Sequence, residues 1–450
     1  MFDKVLIANR GEVALRIMRA CKELGVKTVA VYSTEDADTY PVHYADEAVC
    51  IGPAQSSQSY LVVPSIIQAA LNTGAQAIHP GYGFLAENAD FARSCAENDL
   101  VFIGPSPDCI ERMGDKSMAR DTMKMCGVPT VPGSDGIAET VEDARKFAEK
   151  VGYPVLIKAT AGGGGKGMRE VHDAADLAGE YAAAKNEAQA AFGNGDVYLE
   201  KLVLRPRHIE IQVLADNFGT RIALCERDCS IQRRHQKLLE EAPSPALTEE
   251  TRRAMGVAAI KAVRAVDYRN AGTIEFLLDQ SGNFYFMEMN TRVQVEHPVT
   301  EQITGTDIVK EQLRIAANEP MSCGERAPFV PFGHAIEFRI NAEDPEHKFR
   351  PCPGTVTLFE PPAGPGVRVE SYVHTGSKIS PYYDSLVAKL IVSGQDRAEA
   401  IARGRRALEE FKIEGIKTTI PFHQQVIEIP AFQAGEACTD FIDTQMGDLV

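Results

Sequence analysis

The chain lacks an excess of basic residues: 47 Lys and Arg stand against 63 Asp and Glu, a formal charge of −16. That balance excludes a duplex-wrapping nucleic-acid protein or a polybasic membrane binder as a general class, while leaving room for a local basic pocket. Also missing is any apolar run of ~18–20 residues, the length of a membrane span. The start, Met1-Phe2-Asp3-Lys4, passes directly into a strand-like Val5-Leu6-Ile7-Ala8, so neither a signal peptide nor a membrane partner is expected. CxxC pairs are absent as well; the 10 cysteines are scattered, and reduced thiols in a cytoplasmic chain are the expectation. Cys225 and Cys229 with His235 form only a fragment of a zinc set, with no fourth ligand nearby. No internal repeat or low-complexity tract stands out.

What is present is an ordinary globular composition, 44% hydrophobic and 24% charged over 450 residues, which at ~150 residues per domain implies about two to four domains. Residues Lys4–Tyr32 read as a strand at Val5–Ala8, a loop, a helix with Val13, Ile17 and Leu24 on one stripe, a Gly25 cap, and a strand at Thr28–Tyr32. The pattern recurs with helix Ser65–Asn72 and strands Ala77–His79 and Leu100–Ile103, predicting a doubly wound parallel domain of about 110 residues. Its first loop, Ala8-Asn9-Arg10-Gly11-Glu12, is not G-x-G-x-x-G, so a dinucleotide fingerprint is lacking. Gly104-Pro105-Ser106-Pro107 places a boundary near 105–115, with a helix starting near Asp108. Strand patterns at Val155–Lys158, His208–Leu214, Thr273–Asp279 and Phe284–Met289 make the middle region α+β. The prolines near Pro328–Pro331 mark another boundary, before a smaller region of short strands and a helix Arg397–Phe411.

Between Val155–Lys158 and the next element lies Thr160-Ala161-Gly162-Gly163-Gly164-Gly165-Lys166-Gly167-Met168. Consecutive glycines are costly inside a regular element, so a mobile loop with bare amides for phosphates, flanked by Lys158 and Lys166, is expected beside the plain alternative of a surface loop. It is not a Walker loop: Thr160 stands at the first glycine position and Gly167 where Ser or Thr would hold Mg²⁺.

If Gln280–Asn283 is a four-residue hairpin turn with Asp279 opposite Phe284, Glu275 faces Glu288 across the ladder. Two facing carboxylates repel unless a divalent cation lies between them. The same parity continues through Asn290, Arg292, Gln294 and Glu296, with Met287, Met289, Val293 and Val295 on the other face. One extended segment would then line a polar wall, although a solvated edge strand alternates too, and a one-residue slip undoes the register. The run Arg227–Lys237 is densely basic and reads equally as a solvated loop. Tyr82, in His79–Phe84, and Arg339, alternating with Glu337, have equally plain structural readings. Met123-Lys124-Met125 matches the signature of a biotinylated lysine but ends a helix-like stretch rather than a hairpin.

Taken in order, Ile7–Glu12, His79–Asn88, Met113–Lys116, the glycine loop, Glu226–Lys237, Glu288–Pro298 and Arg339–Asp344 resemble the biotin carboxylases. These are ATP-grasp ligases, the biotin-charging component of acetyl-CoA carboxylase and related enzymes. The resemblance spans nearly the whole chain and is weakest at about 320–332 and after Phe422. It implies a Rossmann-like N-terminal domain (1–112), an ATP-grasp domain (113–320) with a mobile lid at about 131–203, and a smaller C-terminal α+β domain (333–441). By it, Lys116, Lys158, Gly162, Gly163, Gly164, Gly165, Lys166, Gly167, Glu200, Lys201, Leu202, His208, Gln232 and His235 would hold ATP. Glu275, Glu288 and Asn290 would carry Mg²⁺ or Mn²⁺, Glu275 and Glu288 thereby counting toward the nucleotide site. Lys237, Arg292, Gln294 and Val295 would hold bicarbonate, Glu296 would deprotonate it, and Arg339 would stabilise the biotin enolate, with Tyr82 near biotin and Arg16 near the anion site. A biotin carboxyl carrier protein, carboxyltransferase subunits and a homodimer are the implied partners. With no biotinyl or carboxyltransferase region in the sequence, a separate subunit is expected. The rival readings are another ATP-grasp ligase, or a silent nucleotide-sensing scaffold.

Overall fold

The computed structural model of the chain describes residues 1–134, 136–160, 167–324 and 330–447. Strand Lys4–Ile7 is apolar beyond its first residue, as a central parallel strand covered on both faces must be. Its side chains alternate between two cores: Val5 and Ile7 pack with Val13 and Ile17 of helix Gly11–Glu23, and Leu6 packs with Ile66, Ala70 and Phe91. Around it the strands run in the order Glu47–Gly52, Lys27–Ser33, Lys4–Ile7, Ala77–His79, Val101–Phe102, all parallel. The first helix ends at Leu24, and Gly25 follows at φ +74°, the left-handed cap expected there. Loops at the carboxyl ends of such strands are where this architecture binds ligands. Here Asn9 fixes them: its Nδ2 donates to the carbonyls of Pro80 (2.8 Å) and Tyr82 (2.7 Å).

The middle of the molecule is an antiparallel sheet of eight strands, in the order Phe284–Asn290, Asn270–Leu278, Arg207–Ala215, Arg221–Arg233, Gln236–Ala242, His334–Asn341, Leu386–Gly394, Val367–Ser371. It therefore runs unbroken from the central region into the C-terminal one, through the pairing of Glu240 with Glu337. A three-stranded sheet, Met168–Val171, Val155–Ala159 and Val197–Lys201, stands apart. Helices Val141–Val151 and Leu177–Phe192 cover it through Ala144, Ala148, Leu177 and Ala184. The triplet Met123-Lys124-Met125 ends helix Lys116–Met125, with Met123 buried. The cysteines form no disulfide, and among the described residues no helix is long and apolar enough to cross a membrane.

Two sequence expectations need correction. The hairpin pairs Leu278 with Phe284, Leu277 with Tyr285 and Phe276 with Phe286, one residue off the expected register, yet Glu275 still faces Glu288. An irregularity between Glu275 and Phe276 absorbs one extra residue, Met287, and restores the pairing. The extended segment through Glu296 also fails, because the strand stops at Asn290 and Glu296 is the N-cap of helix His297–Thr304. Glu87 draws the chain out of the sheet, accepting from the Thr291 amide (3.0 Å) and from Arg292 Nε (2.8 Å). The expected apolar face is accordingly split: Met287 and Val295 line the cleft, while Val293 is buried with Leu214 and Ile222.

Candidate active site

A cleft of ≈ 1390 Å³ opens between the parallel domain, the small three-stranded sheet and the eight-stranded sheet. Its wall gathers Tyr82, Lys116, Lys158, Glu200, His208, Gln232, His235, Lys237, Glu275, Glu288, Asn290, Arg292, Gln294, Val295, Glu296 and Arg339. Local geometry explains several of these placements. Arg234 and His235, at φ +49° and +65°, make the two-residue turn between strands Arg221–Arg233 and Gln236–Ala242. Left-handed residues at both central positions match the twist of a hairpin. The turn sets Gln232 opposite Lys237 and carries His235 on its tip. The basic run, for which a solvated loop was one of two equal readings, is mostly strand, with Arg227 fully buried.

At one end, four cations meet five carboxylates. Lys237 Nζ donates to Glu210 (2.6 Å), Glu275 (3.0 Å) and Glu296 (2.7 Å). Burial alone would lower its pKa, but the three carboxylates hold it well above the ordinary lysine value. Arg339 joins Glu296 (2.9 Å) to Glu240 (2.6 Å from Nε). Arg227 pairs with Glu210 and donates to Gln212 (2.8 Å), Thr300 (2.9 Å), Thr273 (3.2 Å) and Gln294 (2.8 Å). Arg292, held by Glu87, also donates to Asn290 Oδ1 at 3.0 Å. Burial would raise the Glu296 carboxyl, but Lys237, Arg339 and Arg227 hold it well below the usual range. Glu240 is pushed up to about 7 by burial and by Glu296, against the pull of Arg339.

Glu275 is buried and accepts from Lys237, Asn290 (2.7 Å) and Gln294 (2.8 Å), with His208 Nε2 at 2.9 Å. Burial opposes its ionisation, yet Lys237 and His208 hold its pKa well down. Facing it, half-exposed Glu288 is raised by burial and by Glu275, and its ion-pair partner is Lys116 at 3.8 Å. Two carboxylates and the Asn290 amide oxygen form a hard-donor set suited to a divalent cation, whose charge would relieve the repulsion felt by Glu288. His208, Glu210 and Glu275 form a second close grouping, but Lys237 and Arg227 already neutralise Glu210 there.

On the opposite wall Lys158 pairs with Glu200, which also takes Arg120 at 3.2 Å. Gly167 has φ +71°, and a Cβ there would lie 2.9 Å from the Ala159 Cβ, so the chain needs glycine where it re-enters the strand. Gly162, Gly163, Gly164, Gly165 and Lys166 lie outside the described residues. Lys201 and Leu202 are not on the cleft wall: Lys201 Nζ donates to the carbonyls of Gly152 (2.8 Å) and Tyr153 (2.9 Å), and the Leu202 amide to Pro154 (3.1 Å). Arg16 is also off the wall, buried against Glu301 (2.9 Å) and Asp307 (2.6 Å). The zinc fragment disperses, with Cys225 packed among Ala242, Val299 and Ile303, Cys229 buried beside Glu210 and Glu296, and His235 exposed.

Sequence reasoning missed Arg227, Glu210 and Glu240 as site residues. The available signal was the polar alternation of His208–Leu214, which is not a solvated face: His208, Glu210 and Gln212 are all buried.

Three family models match the chain: biotin carboxylase N-terminal domain at residues 1–110, the carbamoyl-phosphate synthase L chain ATP-binding domain at 115–323, and biotin carboxylase C-terminal domain at 337–444. Similar proteins include the biotin carboxylase of Nostoc sp., 59% identical over 98% of both chains, and biotin carboxylase 1 of Bacillus subtilis, 57% identical over 99% of both. Among solved structures, a biotin carboxylase–βγ-ATP complex from Campylobacter jejuni has TM-score 0.93 at 48% identity, covering 99% of each chain. The biotin carboxylase domain dimer of Hydrogenobacter thermophilus 2-oxoglutarate carboxylase, solved with MgADP, ADP and bicarbonate, has TM-score 0.93 at 51% identity, covering 100% of this chain and 99% of that one.

Proposed function

This chain belongs to the biotin carboxylase family, and from that premise we propose how its cleft works. It is an ATP-grasp ligase that carboxylates biotin with bicarbonate, giving ADP, phosphate and N1-carboxybiotin. The observation that carries the assignment of roles is the convergence of Glu296, Lys237 and Arg339 at one end of a cleft whose other wall presents Lys116, Lys158 and the Glu275–Glu288 pair.

ATP lies along Lys116, Lys158, Glu200, His208, Gln232 and His235, and the glycine run 162–167 supplies the amides for its phosphates. Lys201 and Leu202 stay outside this wall: their amides donate to Pro132 and Pro154, and the Lys201 ammonium to Gly152 and Tyr153. Glu275, Glu288 and Asn290 would hold Mg²⁺ (or Mn²⁺), which when bound neutralises phosphate charge. Lys237, Arg292, Gln294 and Val295 position bicarbonate. Glu296 takes its proton as the bicarbonate oxygen attacks the γ-phosphorus, ADP leaves, and carboxyphosphate forms. A carboxylate held so low is a weak base; bicarbonate and biotin recover its basicity by drawing Lys237 and Arg339 to themselves. Carboxyphosphate then breaks its C–O bond to give CO₂ and phosphate, the phosphate takes the biotin N1 proton, and N1 attacks CO₂. Arg339 stabilises the ureido enolate and Tyr82 borders the biotin. Charge neutralisation and exclusion of water, rather than covalent catalysis, supply the acceleration.

The chain divides into an N-terminal domain (1–112), an ATP-grasp domain (113–320, with its lid at about 131–203) and a C-terminal domain (333–441). It acts in the cytoplasm on a biotin carboxyl carrier protein and supplies carboxyltransferase subunits, as a homodimer. Its place is the first half-reaction of acetyl-CoA carboxylase, leading to malonyl-CoA. A pyruvate or other acyl-CoA carboxylase would use the same cleft.

Phosphate release from ATP and Mg²⁺ tests this reading, measured with and without bicarbonate and free biotin. Release that requires bicarbonate and rises with biotin is expected. Release indifferent to biotin would mean another ATP-grasp ligase, and ATP binding without release a silent scaffold.

A further inference from the structure

Lys389 lies on strand Leu386–Gly394 with none of its side chain exposed. A lysine is kept out of water only where its partners compensate the ammonium. Three carboxylates feel its charge, Glu12, Glu337 and Glu370. Of these, Glu12 is the one at ion-pair distance, its Oε2 lying 3.2 Å from Nζ; that oxygen, like both oxygens of Glu337 and Oε2 of Glu370, has no hydrogen-bond partner. The ammonium donates instead to the Val295 carbonyl at 3.0 Å.

What Lys389 touches explains the choice. Val295 precedes Glu296, the proposed base, and both line the cleft. Glu12 accepts the Tyr82 hydroxyl on its other oxygen, and Tyr82 lines the same cleft from the parallel domain. Across the ladder Lys389 faces Arg339. One buried group, itself outside the cleft wall, thus contacts the bicarbonate segment, the biotin-side tyrosine through Glu12, and the strand carrying Arg339.

We propose that Lys389 is a positioning residue for the carboxylation: through the Val295 carbonyl and the Glu12–Tyr82 pair it holds the bicarbonate and biotin sides of the cleft in register. The inference rests on the reaction proposed above. Misplacing reacting groups by about an ångström costs on the order of 100-fold in rate, so the effect belongs in substrate constants and turnover rather than in nucleotide binding.

The test is steady-state kinetics of Lys389→Met in the full chain, varying ATP, bicarbonate and free biotin separately. The KM values for bicarbonate and biotin are expected to rise and kcat/KM for bicarbonate to fall by about 100-fold, while KM for ATP stays at its wild-type value. Unchanged bicarbonate and biotin constants, with only a lowered melting temperature, overturn the proposal. Where Lys389→Met does not fold, Glu12→Gln combined with Lys389→Gln removes the buried charges at similar volume. Raised bicarbonate and biotin constants are expected there too, and wild-type values overturn the proposal. A wild type without bicarbonate-dependent release overturns the reaction itself and the proposal with it; an active wild type beside a kinetically normal variant overturns the role of Lys389 alone.

Discussion

At one end of the cleft Arg227 and Lys237 show 0% and 12% of their side chains to solvent, while at the other Lys158 and Lys116 show 28% and 61%. The first pair stands on the eight-stranded sheet, each cation tied to several acceptors; of the second, Lys158 stands on the small sheet and Lys116 opens a helix. On the proposed roles, the acceptor end is therefore organised before any substrate arrives. At the nucleotide end Lys158 and Lys116 are more exposed, and each is tied to one carboxylate, Glu200 and Glu288, that phosphate would displace. Such a division suits a reaction in which positioning around bicarbonate must be exact within fractions of an ångström, while ATP brings its own charge to order the opposite wall.

The largest effect that would break this comparison is at Arg227. Arg227→Met strips the buried Glu210 of one cation and leaves Gln212 and Gln294 without their donor. Urea unfolding is expected to show a loss of about 3–5 kcal/mol; a loss no larger than that of a surface substitution would mean the acceptor end is not preorganised by charge. Next in size, Lys158→Met is expected to raise KM for ATP by about tenfold, roughly 1.4 kcal/mol, with the melting temperature unchanged. A large drop in melting temperature would show that the nucleotide end is built into the fold as firmly as the other.

At neutral pH the smallest effect concerns the support of the Tyr82 loop, and it emerges only on acidification. His79 is buried, and its Nδ1 accepts from the Gly81 amide at 3.0 Å, which requires an unprotonated nitrogen. Burial, aided by Arg16, lowers its pKa from 6.5 to about 3 despite Gln312. A histidine depressed in the folded state contributes stability that is present above pH 6.5 and lost as pH falls from there toward about 3. Denaturation at a series of pH values should show His79→Gln reducing this slope by at most ~1.4 kcal/mol per pH unit. An unaltered slope would assign acid sensitivity elsewhere, the other buried and lowered imidazoles being His297, held well below its ordinary value, and His423, lowered to about 4.

The parallel domain was legible because its signals are local: apolar strands, the helix stripe of Val13 and Ile17, and Gly25 at the left-handed cap. The facing of Glu275 and Glu288 was also legible, although turn arithmetic missed the register by one and the irregularity beside Glu275 compensated. The path beyond Asn290 was not, since Glu87, remote in sequence, ends the strand through Thr291 and Arg292. Nor was the continuity of the large sheet, which depends on Glu240 pairing with Glu337 across nearly a hundred positions. Arg227 stayed hidden for the same reason. A basic run looks solvated until partners at 210, 212, 273, 294 and 300 are brought around it.

The most direct test of the division between the two ends is Glu296→Ala, measured for nucleotide affinity and for bicarbonate-dependent, biotin-stimulated phosphate release in one preparation. ATP affinity is expected to match wild type while release falls by on the order of 10²–10⁴-fold, the contribution of a positioned general base. Release near the wild-type rate, or loss of ATP binding in step with it, would contradict the account.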